Sequence, residues 1–155
     1  MTLDGVRVVS ILNEDGIDAA LAELAEQCLA ICWVRATREM HERRREGSDA
    51  GDAADVWVLD LWWHPDWYND RNRVRRVIEH LVEQARGDQI ALENVGAGPL
   101  EEFVTDADED LLWIESMCQR STDFRIAAQS AQFDQLTQDA RSSIAAACAS
   151  PPTLR

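Results

Sequence analysis

Carboxylates are the side chains of this sequence whose density could support chemistry. Six acidic residues stand close together at Glu101, Glu102, Asp106, Asp108, Glu109 and Asp110. Such a group could bind a divalent cation, because hard cations prefer oxygen ligands, although the D-x-D-G spacing of an EF-hand loop is absent. A helix N-terminus, which attracts acids, together with a solvated face explains the same run, and we favour that interpretation. No metal ligand is therefore predicted.

No nucleophile and base are recognisable in the sequence. His41, His64 and His80 are far apart, and there is no G-x-S-x-G motif. The G-x-G at residues 96–98 has no Lys or Arg nearby, and two glutamates follow it, which would repel a phosphate. We interpret it as a tight turn before a helix that begins at Pro99. The sequence thus predicts no catalytic residue and no cofactor.

The cysteines do not have the spacing of a zinc or redox site. They are Cys28, Cys32, Cys118 and Cys148. The first two are four apart in a helical stretch, which is not C-x-x-C. We therefore expect reduced, buried, structural thiols. Because the first residues lack the features of a signal peptide, we also expect a reducing, cytoplasmic location.

Aromatic residues are concentrated in one acidic segment. Four of the six tryptophans lie between Trp57 and Trp67, and Tyr68 follows them. Neither a helix nor a strand can turn all of these rings inward. Asp66 and Asp70 stand beside them, and an exposed aromatic set with charged neighbours is typical of a protein-binding hot spot. A purely structural core is the alternative.

The net charge restricts the class of partner. The 155 residues include 29 Asp or Glu and 15 Lys or Arg, a formal net charge of -14 at pH 7. Neutralising phosphates needs clustered cations, so this charge argues against a sequence-independent DNA or RNA binder. It also argues against docking on an anionic membrane. A basic protein would be attracted and oriented; solubility alone is the other explanation.

Apolar periodicity predicts an all-α fold of about six or seven helices, with a short N-terminal strand at residues 6–12 as an open alternative. We expect a long helix over 17–45 and shorter ones at about 56–63, 71–86, 99–104, 108–119, 123–131 and 133–148. At 56–63 a buried strand stays open as the alternative. In the 108–119 helix the apolar face is expected to be Leu111, Leu112, Ile114 and Cys118. We expect one domain over residues 1–150, a frayed tail over 151–155 and no membrane span.

Part of the sequence is similar to a known family. The relevant stretches are Trp62-Trp63-His64, the GAGPLE motif at 96–101, Ile114-Glu115 and Asp123-Phe124-Arg125. With these, residues 57–125 resemble an uncharacterised bacterial helical domain family with a G-x-G-P-L-E motif. The resemblance covers under half of the chain. It implies an all-helical domain and brings no established activity.

Size, charge and the lack of a catalytic constellation together predict a protein-binding protein without catalysis. We expect an acidic immunity or antitoxin-like inhibitor that neutralises a basic bacterial toxin. The expected partner-binding residues are Trp62, Trp63, Asp66, Trp67, Tyr68, Asp70, Glu101, Glu102, Asp106, Asp108, Glu109 and Asp110. Two alternatives stay open: a metal-assisted enzyme that uses the 106–110 carboxylates, and a self-associating structural protein that uses the tryptophans.

Overall fold

The all-α prediction is confirmed. The computed structural model describes residues 5–22 and 24–149, and in these residues the regular structure is helical, without a strand. The chain divides into two compact units, residues 1–84 and 85–155. The single domain expected over 1–150 stays a prediction, and the tail at 151–155 lies outside the described residues. Within the described ranges, no helix is long and apolar enough to cross a membrane.

The first unit is built around its two longest helices, Glu26–Glu46 (α3) and Arg71–Gln84 (α5), which pack against each other. Its helices are α1 (Gly5–Asp15), α2 (Ile17–Ala22), α3 (Glu26–Glu46), α4 (Trp57–Trp62) and α5 (Arg71–Gln84), with 3₁₀ turns at Ala50–Asp52 and Pro65–Asn69. α1 packs against α2 and α4. The predicted apolar face of α5 is buried, from Val74 to Val82, so this helix is confirmed.

The N-terminal segment is a helix, so the strand expected at 6–12 is wrong. Val8 and Leu12 are both buried in α1. They are four residues apart, which places them on one helical face. Val6 is 83% exposed. The β-branched residues suggested a strand, but burial of the Val8 and Leu12 face overrides that weak local preference.

The long helix expected over 17–45 is interrupted. α2 ends at Ala22 and α3 begins after Ala25, whose backbone is extended at φ −68° and ψ 138°. Leu24 is buried in the interruption and donates its N–H to the Leu21 carbonyl at 3.3 Å. No Gly or Pro marks this point in the sequence. The gain from burying Leu24 therefore exceeds the helical preference of the surrounding residues.

An ion pair joins α3 to α5. The Arg76 guanidinium donates to both carboxylate oxygens of Glu26, at 2.8 to 3.2 Å. This hydrogen bonding lowers the pKa of Glu26. Because the folded pKa is below the unfolded one, the pair stabilises the fold at pH values above the ordinary carboxyl pKa and is lost as pH falls through the lowered one. Both side chains are partly exposed, so the contribution is only about 1 kcal/mol.

The second unit has α9 at its centre. Its helices are α6 (Gln89–Val95), α7 (Glu101–Phe103), α8 (Asp108–Arg120), α9 (Thr122–Ser130) and α10 (Gln138–Ala149), and a π-helical turn over Gly96–Leu100 joins α6 to α7. α9 packs against α6, the π-turn, α8 and α10. The described residues contain more helices than the six or seven expected, because α1 and α6 were not predicted as helices and the helix expected over 17–45 is divided into α2 and α3.

The GAGPLE motif is part of a continuous helical segment and not the tight turn that we expected. Residues 96–100 continue α6 as a π-turn, with Pro99 inside it. Gly96 is the contact point, because a Cβ there would overlap the Ala127 carbonyl oxygen of α9 and lie 2.8 Å from its carbonyl carbon. At Gly98 a Cβ would meet nothing within 4 Å. Gly96 therefore allows two backbones to touch.

Two expectations for the last helices are wrong. Leu112 is 64% exposed, because the buried face of α8 follows Ile114 and Cys118, and Leu112 is on the other side. The last helix begins at Gln138 and not at Phe133. Phe133 is buried with a positive φ of 52°, a conformation that helices exclude. Burial of this ring fixes residues 131–137 as a non-helical connection.

Candidate functional site

The aromatic segment of the first unit consists of α4, a 3₁₀ turn and the start of α5. Trp62 ends α4, and residues Pro65–Asn69 form the 3₁₀ turn that follows. His64 begins this turn, since its Nδ1 accepts the Asp66 N–H at 3.2 Å. Asp70 begins α5 by accepting the Arg73 N–H at 3.0 Å. These local bonds fix where the aspartates stand.

Two of the tryptophans expected to bind a partner belong to the core. Trp67 is 1% and Trp62 is 2% exposed, and their rings pack with centroids 5.0 Å apart. Tyr68 is half-buried, with its ring edge against Trp62 at 6.5 Å. Neither ring is exposed, so Trp62 and Trp67 do not belong to the exposed aromatic set that we expected. The physical reason is that these rings supply the apolar area that α4 and the 3₁₀ turn must bury.

Trp63 is the exposed ring of this segment. Its relative exposure is 64%, and it stands directly after α4, with its N–H donating to the Leu59 carbonyl at 2.9 Å. Asp66 is three residues further, so the two Cα atoms are within about 11 Å of each other. An exposed apolar ring and an exposed carboxylate therefore stand three positions apart in the same segment. That combination is suited to protein recognition.

An acidic cleft opens in the same unit, with a volume of about 490 Å³. Asp15 and Asp18 line it from the junction of α1 and α2, and Asp66 and Asp70 line it from the 3₁₀ turn and its end. Among the described lining residues one is cationic, Arg73. Four carboxylates and one guanidinium give the cleft a formal charge of −3. We call these five residues the acidic cleft.

Charge within the acidic cleft is distributed unevenly. Arg73 is 3.6 Å from the carboxylate of Asp18 and 3.8 Å from that of Asp70. Asp15 and Asp66 are both exposed, and Asp66 accepts the Asn69 side-chain N–H at 3.2 Å. The guanidinium thus offsets Asp18 and Asp70, whereas Asp15 and Asp66 are not among its ion pairs.

The floor of the cleft contains an unusual donor. Trp67 lines the cleft, and its indole Nε1 is buried without a hydrogen-bond partner. A buried N–H without an acceptor costs about 1–3 kcal/mol, so most proteins avoid one.

Sequence reasoning found Asp66 and Asp70 and missed Asp15 and Asp18. The two missed residues stand some fifty positions earlier in the chain, and nothing in the sequence connects them with the aromatic segment. A usable signal was Gly16, which has a positive φ of 85° and turns the chain between α1 and α2. Asp15 and Asp18 stand on either side of this glycine, and both line the cleft. That they meet Asp66 is a consequence of the fold.

The acidic run of the second unit serves mainly internal contacts. Glu101 accepts the Gln132 N–H at 2.8 Å, and Asp106 accepts the N–H and hydroxyl of Thr137, each at 3.0 Å. These bonds hold the connection 131–137. Carboxylates that accept backbone N–H groups are structural, so the density of acids here overstates the charge offered to a partner.

Asp110 was expected to bind a partner, and this prediction is wrong. It is fully buried, and its Oδ2 accepts the N–H of Thr105 at 3.0 Å and its hydroxyl at 2.7 Å. The bonds close the turn before α8, which is the physical reason for the burial. Glu102, Asp108 and Glu109 are exposed.

Among residues 5–22 and 24–149, no group of three or more His, Cys, Asp or Glu side chains is placed to hold a metal ion.

Comparison of the chain with known proteins found no relative. No protein-family model, curated protein or solved structure matches the chain significantly. The resemblance over residues 57–125 therefore rests on the quoted motifs alone, and the case for a function rests on the acidic cleft and on Trp63.

Proposed function

We propose that this protein binds a basic protein through the acidic cleft and Trp63, and that it does so without catalysis, as an immunity or antitoxin-like inhibitor of a basic bacterial toxin. The observation that carries the proposal is the convergence of Asp15, Asp18, Asp66 and Asp70 around one cleft with a single offsetting guanidinium among the described lining residues. Like charges repel, so a protein gathers them at a cost unless a cationic ligand uses them.

The chemistry of the cleft suits an arginine or lysine side chain of the partner. Carboxylates accept the N–H groups of a guanidinium in pairs, and such charge-assisted bonds are about twice as strong as neutral ones. A volume of about 490 Å³ is ample for one cationic head and its aliphatic stem. Asp15 and Asp66 are the expected receptors, because Arg73 pairs with the other two carboxylates.

Trp63 would supply the apolar part of the interface. Interface energy is concentrated in a few residues, among which Trp and Arg are enriched. An exposed Trp63 within reach of Asp66 gives one such anchor beside a charged pocket. The net charge of -14 would raise the association rate with a basic partner and set its orientation.

The test removes charge from the cleft without changing its shape. Asp15→Asn with Asp66→Asn keeps the side-chain oxygen that accepts the Asn69 N–H. The matched control, Glu46→Gln with Asp139→Asn, removes the same charge from exposed positions at the end of α3 and in the first turn of α10. Each protein is used as bait in a lysate of its native organism at low salt, and the captured basic protein is then titrated against all three.

We expect the cleft variant to bind that basic protein at least about tenfold more weakly than wild type, since two lost charge pairs are worth about 1.4 kcal/mol or more together. The control is expected to stay within about twofold. Co-expression with the captured protein should relieve its toxicity for wild type and control only. Equal weakening by both variants would show that net charge alone binds, and would overturn the assignment of the cleft.

Trp63→Ala provides an independent prediction. We expect a loss of affinity of tenfold or more for the same basic protein, because truncating a hot-spot tryptophan costs about 2 kcal/mol. Leu112→Ala, which removes another largely exposed apolar side chain, is the control and should have little effect. The oligomeric state of free wild type and free Trp63→Ala is measured in parallel by light scattering. A wild-type dimer that Trp63→Ala converts to monomer would instead favour self-association.

A further inference from the structure

Two cysteines of the second unit are close enough to react with each other. Cys118 of α8 and Cys148 of α10 are both free and buried, and their sulfur atoms are 3.4 Å apart. A disulfide has a sulfur–sulfur distance of about 2.05 Å, so the sulfurs would need to approach by roughly 1.4 Å. They are 30 positions apart in the chain, so the packing of α8 against α10 brings them together.

The two thiols differ in access. Cys148 lines a largely apolar cavity of about 310 Å³ between α9 and α10, together with Ala128, Phe133 and Ile144. Cys118 is fully buried and is not among the residues that line this cavity. A small uncharged oxidant such as hydrogen peroxide would therefore meet Cys148 first.

The two thiols also differ in reactivity. The hydrogen bond with Cys118 lowers the pKa of Cys148, and the positive charge of Arg125 acts in the same direction against the effect of burial. The same hydrogen bond and burial raise the pKa of Cys118. Thiolates, and not thiols, attack peroxides, so access and reactivity both select Cys148.

We propose that Cys148 is a peroxide-reactive thiol and that Cys118 resolves its oxidised form into a reversible intramolecular disulfide between α8 and α10. The Cys148 thiolate attacks one oxygen of hydrogen peroxide, the O–O bond breaks, and a sulfenic acid forms as hydroxide leaves and takes up a proton. The Cys118 sulfur then gives up its proton and attacks the Cys148 sulfur. The S–O bond breaks, and a second water leaves. Two cysteines lose two electrons, and one peroxide becomes two waters.

This modification is independent of the acidic cleft, which belongs to the first unit. Its consequence is a covalent link that closes a loop of about thirty residues. Such a link restricts the unfolded chain and is expected to raise the melting temperature by roughly 10 °C. Oxidation would thus make the second unit more rigid, and a thiol reductant would reverse the change.

The experiment treats the full-length native protein with increasing hydrogen peroxide, blocks the remaining thiols and maps the peptides by mass spectrometry. We expect the Cys118–Cys148 disulfide to form before Cys28 is modified, although Cys28 is the more exposed thiol. Dithiothreitol should restore all four thiols. Oxidation of Cys28 ahead of the pair, or a Cys28–Cys32 disulfide in its place, would overturn the proposal.

Variants separate the two roles. Cys118→Ala should accumulate a sulfenic acid at Cys148, which dimedone traps, whereas Cys148→Ala should show none at Cys118. The double variant Cys28→Ala, Cys32→Ala is the control and should form the disulfide at the wild-type rate. Dimedone labelling of Cys118 in Cys148→Ala would contradict the assignment of roles. Should a variant fail to fold, the peptide map of the wild-type protein decides the disulfide by itself.

Discussion

Replacing Gly96 by alanine is expected to destabilise the protein by about 3 kcal/mol or more. The added methyl group would overlap the carbonyl oxygen of Ala127 and would lie 3.1 Å from the Cβ of Ser130. Both atoms belong to α9, which packs against four other elements of its unit. The obstacle is backbone, which cannot move aside as a flexible side chain can, so the π-turn and α9 must separate.

Gly98→Ala is the matched control, two positions away in the same π-turn. A Cβ at Gly98 would meet nothing within 4 Å, and alanine favours helical backbone over glycine by up to about 1 kcal/mol. We expect unchanged or slightly higher stability in urea or guanidinium unfolding followed by circular dichroism. If both variants lose the same stability, the motif acts through glycine's flexibility, and the close approach at Gly96 is not the reason for it.

Asp110→Ala carries the second large effect, an expected loss of about 2–3 kcal/mol. The substitution leaves the N–H and hydroxyl of Thr105 without the carboxylate that accepts both. Asp110 is fully buried, and a hydrogen bond to a charged group contributes about 1.5–3 kcal/mol to stability. The turn before α8 should therefore open, and residues 104–108 should exchange their amide hydrogens faster.

Asp108→Ala is the control for Asp110→Ala. Asp108 stands in the same first turn of α8 but is exposed, so its loss should cost at most about 0.5–1 kcal/mol through the helix dipole. Asp110→Asn should fall in between, because an amide oxygen can still accept from Thr105. Equal losses for Asp108→Ala and Asp110→Ala would mean that charge near the helix end, and not the buried hydrogen bonds, stabilises this turn.

The sequence was most informative where periodicity and capping agree. α5 and α8 were predicted nearly to the residue, since their apolar positions repeat regularly, and Gly87 follows α5 closely with a positive φ of 74°. The interruption before α3 could not be predicted, because no Gly or Pro marks it. Burial of Leu24 depends on neighbours that the chain brings together only on folding.

Two of the four carboxylates of the acidic cleft were predicted from the sequence. Asp66 and Asp70 stand in the segment that composition singled out, whereas Asp15 and Asp18 join them only through the packing of α1 and α2. Within the aromatic segment, the sequence could not distinguish Trp63 from Trp62 and Trp67. Which of three neighbouring rings faces water is decided by the 3₁₀ turn, whose period differs from that of a helix. The acids at 101–110 misled for a related reason, since a carboxylate that closes a turn looks the same in sequence as one that meets solvent.

The contrast between Trp63 and the other tryptophans has an optical consequence. Trp33, Trp62 and Trp67 are buried, and Trp57 and Trp113 are half-buried. Water relaxes the excited state of an exposed indole most strongly, so the long-wavelength edge of the protein's intrinsic fluorescence belongs mainly to Trp63. Trp63 is therefore an intrinsic fluorescence probe of the proposed interface. Its emission is expected to shift to shorter wavelength when a partner covers the ring, and no attached dye is needed.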